Sequence, residues 1–183
     1  MAIAVPMAER DVAPVHCCDF IRSASGRNIL FVGAERVDEF ADAMRAVRRG
    51  HRVLVVNPRE TAAARAFRSQ RGRFARARIE DLPRIGSGFE VICENYPYPS
   101  GPHSAPIRAF AHARLARLAP GGRWILFTES ARLATALRML VEYDADVRRR
   151  FVLELARVRL HQAPPSAYPP VPSRFRLIFE RCR

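Results

Sequence analysis

Short apolar runs alternate along this chain with stretches whose apolar residues recur at helical spacing. Asn28 to Gly33 (NILFVG) is apolar and closed by glycine, the signature of a buried strand. Phe40, Met44 and Val47 then fall at i, i+4 and i+7, which predicts a helix over Val37 to Arg49 with Gly50 as its stop. Arg52 to Val56 (RVLVV) predicts a second strand, Glu60 to Ser69 a helix, and Arg73 to Ile79 a third strand. Phe89 to Glu94 (FEVICE) predicts a fourth, followed by a helix over Ile107 to Leu118. Pro120-Gly121-Gly122 reads as a turn before a strand at Arg123 to Thr128, and a helix is predicted over Ala131 to Tyr143. Phe151 to Leu160 has a strand-like composition that a helix would also accommodate. With Phe175 to Glu180 it flanks a proline-rich connection and can pair antiparallel.

Five apolar strands alternating with helices require a parallel sheet covered on both faces, because right-handed crossovers place a helix over each strand pair. The expected fold is therefore a doubly wound α/β sheet of seven strands, mostly parallel, with an antiparallel C-terminal edge. Residues 1–24 read as a lead-in with a short helix around Cys17 to Ser23, and residues 25–183 as the domain. Ligands of such sheets sit outside the carboxyl ends of the strands, which directs attention to the loops after Val32, Val56, Ile79, Glu94 and Thr128.

Charge narrows the chemistry. The 183 residues carry a net charge of +13, and all 31 cations are arginines because the chain has no lysine. Phosphate-loop nucleotide hydrolysis, pyridoxal Schiff-base chemistry, protein kinase activity and Tyr/Lys dehydrogenation all require a lysine and are excluded. GC-rich coding explains arginine in place of lysine; a lysine-free surface also suits a protein delivered into a eukaryotic cytosol. The basic balance points to an acidic partner, with nucleic acid foremost. The arginines group at Arg45 to Arg52, Arg65 to Arg78 and Arg148 to Arg150. Four cysteines without a paired spacing fit a reducing, cytoplasmic setting, and His16-Cys17-Cys18 has no second cluster to complete a metal site. No apolar segment is long enough to span a membrane.

The run ILFVGA, the turn LAPGGRWILFTES and the two final strands resemble the Rossmann-like, class I S-adenosylmethionine-dependent methyltransferases over about residues 25 to 183. The resemblance implies that S-adenosylmethionine binds against Gly33, Ala34 and Glu35 after the first strand. Asn57 and Pro58 after the second would lie at the ribose, Glu80 and Asp81 (IEDLP) beside the adenine, and Glu94 at the end of the fourth strand. Asn95-Tyr96-Pro97-Tyr98 is similar to the N-x-P-Y motif of amino-group methyltransferases. By that likeness Asn95 accepts a hydrogen bond from the amine, Pro97 fixes the turn, and Tyr98 stacks on the substrate.

The chain departs from the family at the glycine loop, with Phe31 where an acid stands and Glu35 and Val37 where glycines stand. At the second strand it has Asn57 where an acid binds the ribose hydroxyls, so that role weakens or shifts to Glu60. The implied activity is methyl transfer to an amino group, nucleic acid being a candidate acceptor. A second reading is a methyltransferase-like module without catalysis, acting as a binding or effector part of a larger polypeptide or beside a partner protein. A third, an NADP-binding reductase with Arg59 on the 2′-phosphate, is opposed by the broken glycine fingerprint.

Overall fold

The fold is described from a computed structural model, in which residues 8–10, 27–34, 37–70, 72–78, 86–95, 104–128, 130–158 and 175–183 are placed. Each apolar run forms a strand: β2 (Asn28–Val32), β3 (Arg52–Asn57), β4 (Arg73–Arg76), β5 (Phe89–Asn95), β6 (Leu118–Thr128), β7 (Phe151–Val158) and β8 (Phe175–Arg181). The helices are α1 (Val37–Arg48), α2 (Ala62–Ser69), α3 (Ser104–Leu115), α4 (Ala131–Tyr143) and α5 (Ala145–Arg150). Helix α3 starts three residues earlier than its apolar pattern suggests. Pro106 falls in its first turn, where an N–H is not needed.

Two elements were not expected. One is α5, whose sequence ADVRRR carries no apolar period and was noted only for its arginines. The other is a short strand, β1 (Ala8–Arg10), inside the lead-in, which pairs parallel with β7. The eight strands lie in the order β1-β7-β8-β6-β5-β2-β3-β4. All are parallel except β8, which inserts between β6 and β7 antiparallel to both. The two C-terminal strands thus pair as expected, and the outermost position on that side belongs to β1. The Pro120-Gly121-Gly122 turn is absorbed as a bulge: Phe89 faces Leu118 and Val91 faces Arg123, so β6 carries extra residues against β5.

The sheet separates two cores. On one face Leu30, Ile92, Trp124, Leu126 and Leu177 pack under α3, α4 and α5, with Trp124 stacked on Phe179 at 5.0 Å. On the other, Ile29, Val55, Val91 and Ile125 pack under α1 and α2, whose Phe40 and Phe67 rings lie 5.6 Å apart. Among the described residues no helix is long and apolar enough to cross a membrane.

The candidate site at the carboxyl ends of the strands

From β2 the chain winds outward to β3 and β4, and then returns to place β5 on the other side of β2. The crevice where winding reverses is therefore between β2 and β5. Register brings four strand ends abreast there: Val32 lies beside both Val56 and Glu94, and Glu94 beside Leu126. The next residue on β2 is Gly33, and on β5 it is Asn95, which faces Phe127.

Gly33 adopts φ +74°, and a Cβ added to it would meet no atom within 4 Å. A left-handed residue with empty space over it lets a ligand approach the backbone closely. Its N–H is not available to such a ligand, since it donates to the Val56 carbonyl at 2.8 Å.

Asn57 has a different place from the one its resemblance implies. The residue is 1% exposed, its Nδ2 donates to the Ala34 carbonyl at 2.8 Å, and its Oδ1 accepts the Arg59 N–H at 2.7 Å. The carboxamide therefore ties the loop after β2 to the loop after β3. An amide has two further bonding capacities, but here they are enclosed. The side chain that the resemblance places at the ribose is instead a staple between these two loops. Pro58 is exposed beside it, and its carbonyl accepts from Arg76 Nε at 3.4 Å. Glu60 is half-buried and takes one bond from Arg68 at 2.9 Å.

Glu94 is also engaged within the protein. Arg114 of α3 grips it from Nη2 and Nε at 2.7 and 3.0 Å, donates from Nη1 to the Phe110 carbonyl at 3.0 Å, and lies 3.7 Å over the Phe110 ring. The two charged residues are 4% and 3% exposed. Two parallel N–H···O bonds and a cation–π contact are the arrangement that allows a burial this complete. Arg114 was not singled out from the sequence, because twenty residues separate it from its partner; Phe110 and Arg114 at i, i+4 were the available signal.

Asn95 is described through its backbone alone, as the last residue of β5. Glu35, Glu80, Asp81, Pro97 and Tyr98 lie outside the described residues, as do the lead-in helix around Cys17 and the proline-rich connection. The site thus brings together Gly33, Ala34, Asn57, Glu94 and the start of the Asn95 loop. Groups with displaced pKa values lie elsewhere: His51 at the start of β3 and Asp144 between α4 and α5.

No protein-family model matches the chain, and no curated protein is detectably similar to it. Solved structures do match its fold. An rRNA methylase from Streptococcus thermophilus superposes with a TM-score of 0.56 at 15% identity, covering 87% of this chain and 90% of that one. A SAM-dependent O-methyltransferase from Thermotoga maritima gives 0.63 at 13% identity, over 91% and 63%. A 1,6-didemethyltoxoflavin-N1-methyltransferase from Burkholderia thailandensis, with S-adenosylhomocysteine bound, gives 0.56 at 19% identity, over 86% and 72%. The chain has the fold of the class I S-adenosylmethionine-dependent methyltransferases. The three matches differ in acceptor, so the fold leaves the acceptor to be argued from the site.

Proposed function

We propose that this protein transfers a methyl group from S-adenosylmethionine to an amino nitrogen, with a nucleic-acid base as the acceptor. The observation that carries this reading is the alignment of the β2 and β5 ends, which sets the open Gly33 backbone and the Asn95 loop on adjacent strands of the switch point. The residues fit the cofactor in part. Gly33 and Ala34 provide a shelf that a ligand can approach closely, while the ribose role cannot fall to Asn57 as it is bonded here. Glu60, Glu80 and Asp81 are the candidates for that side.

When bound, S-adenosylmethionine supplies an electrophilic methyl on a sulfonium. The protein's task is then positioning: a nitrogen lone pair must point at that carbon, and orientation alone supplies much of the acceleration. In this reading Asn95 accepts from the amine, Pro97 holds the turn, and Tyr98 stacks on a planar base.

Calorimetry with S-adenosylmethionine and S-adenosylhomocysteine tests the cofactor. Gly33→Asp is the informative variant, because a Cβ there meets no neighbour within 4 Å and aspartate is among the side chains that enter the left-handed region at the smallest strain, so the shelf is filled at a modest cost in stability that thermal unfolding reads separately. Micromolar binding lost in Gly33→Asp supports the reading, and no binding at millimolar cofactor refutes it. Labelled methyl transfer to RNA, DNA or protein should then collapse in Asn95→Ala. A second reading, a methyltransferase-like module without catalysis, is favoured by the engaged Asn57 carboxamide and predicts that no cofactor binds.

A further inference from the structure

The described arginines are divided between the two edges of the sheet: Arg59, Arg76, Arg78 and Arg176 lie at the carboxyl edge, and a larger group lies at the amino edge. Seven of the eight strands begin at one edge of the sheet, and that edge is where the cations concentrate. Arg27 precedes β2, Arg48 and Arg49 lead from α1 into β3, Arg52 opens β3, and Arg73 opens β4. On the other half, Arg117 precedes β6, Arg150 precedes β7, and Arg181 ends the antiparallel β8 opposite Phe151. Arg123 and Arg183 complete ten arginines, against two carboxylates in the same strand starts and turns, Glu90 and Glu180.

Those two carboxylates are themselves occupied, Glu90 lying 3.9 Å from Arg27 and Glu180 2.9 Å from Arg123. Arg48, Arg49, Arg52, Arg73, Arg150 and Arg181 have no ion-pair partner among the described residues. All of them are exposed except Arg181, which is half-buried. The positive field reaches inward too, because Arg27 and Arg49 both act against the protonation of His51. Coding bias accounts for arginine instead of lysine; it does not account for ten like charges collected at one edge, where they repel one another.

We propose that the amino edge of the sheet, from β4 across to β7, docks the phosphodiester backbone of a nucleic acid. The chemistry matches, since guanidinium groups bind phosphate oxygens in pairs and release counterions on doing so. The dimension matches as well: six inter-strand steps of about 4.8 Å make a row of about 29 Å, close to one turn of a duplex at about 34 Å, so that phosphates of both strands fall along it. The row lies about 20 Å from Asn95, given seven residues of β5 at about 3.3 Å each. Nucleic acid held here is therefore a different stretch from any base entering the site. This surface anchors, and it does not depend on methyl transfer.

The test is fluorescence anisotropy with labelled duplexes of about 20 base pairs, one of RNA and one of DNA, titrated between about 50 and about 300 mM salt, where phosphate contacts are salt-sensitive. The edge variant is Arg48→Glu/Arg52→Glu/Arg73→Glu, with the alanine triple as a second version should charge reversal disturb folding. The control reverses the same number of charges on outer helix faces, Arg65→Glu/Arg132→Glu/Arg138→Glu. Expected is salt-steep binding of at least one duplex, weakened roughly tenfold or more in the edge variants with the salt slope lowered by about 2 to 3, and largely kept in the control. The duplex that binds identifies the nucleic acid. Absent or salt-flat binding overturns the proposal, and so does equal loss in edge and control variants. S-adenosylmethionine binding measured on the same samples keeps failure of this surface distinct from failure of the catalytic reading.

Discussion

Replacing Arg114 by leucine would leave the Glu94 carboxylate buried at the end of β5 without its bidentate partner. Unfolding free energy should fall by about 3–5 kcal/mol, read from urea denaturation, and Glu94→Leu in the same chain should restore part of it. A loss of under about 1 kcal/mol would show that water reaches the pair. Asn57 offers a sharper discrimination. An acid at this position would improve ribose binding in the way the family resemblance implies, but here Asn57→Asp puts a carboxylate oxygen against the Ala34 carbonyl, where an N–H now donates at 2.8 Å. We expect Asn57→Asp to destabilise the fold by about 1–3 kcal/mol and not to tighten cofactor binding, as thermal shift with and without S-adenosylmethionine would show. At this scale the bonding of Asn57 and Glu94 was not legible in the sequence. Residue type reports capacity for hydrogen bonds, and only the neighbouring carbonyls and guanidinium decide where that capacity goes.

Elements are held in place by single side chains at their ends. Asp144 is the example: it caps α5 by accepting from the Asp146 and Val147 N–H groups at 3.1 and 3.2 Å, and binds Arg108 of α3 at 2.9 Å and His112 at 3.3 Å. Chiefly through the Val147 N–H, its carboxyl is held below the ordinary aspartate range. A carboxylate with a depressed folded pKa contributes stability above its unfolded pKa and loses it as pH falls through the folded value. Asp144→Ala should therefore cost about 1–2 kcal/mol at pH 7, and the difference from the parent should shrink as pH falls below about 3.8, in denaturation series across that window. The main strands were legible because ILFV, VLVV, VIC and WILF are uninterrupted apolar runs, as burial on both faces demands, and the helices because apolar residues recur at helical spacing. Strand β1 (AER) and helix α5 (ADVRRR) were not, since the first is defined by backbone pairing to β7 and the second by the Asp144 cap, neither of which leaves an apolar period.

Across the whole molecule, the proposed methyl-transfer site and the proposed nucleic-acid surface fall at opposite edges of one sheet. The carboxyl edge carries Gly33 and the Asn95 loop; the amino edge carries the arginine row and His51. His51 is 6% exposed with Nδ1 buried and unbonded, and burial first, then Arg27 and Arg49, hold its pKa below 6.5. It is neutral in both folded and unfolded chains above about pH 6.5; below that the unfolded chain takes up a proton first, so stability declines as pH falls. His51→Gln should flatten this decline between about pH 6.5 and 5, measured as the urea midpoint, and an unchanged slope would assign it to other groups. Apolar periodicity by itself determined the alternation of strands and helices, and with it the doubly wound sheet and the strand ends at which ligands bind, because burial of both sheet faces is a local pattern repeated along the chain. The tertiary structure alone decided that β8 inserts beside β6, that Asn57 and Glu94 are bonded inward, and that ten arginines scattered from 27 to 183 share one edge. Those facts depend on which distant residues become neighbours, and neither charge nor hydrogen-bonding type reveals its neighbour in sequence.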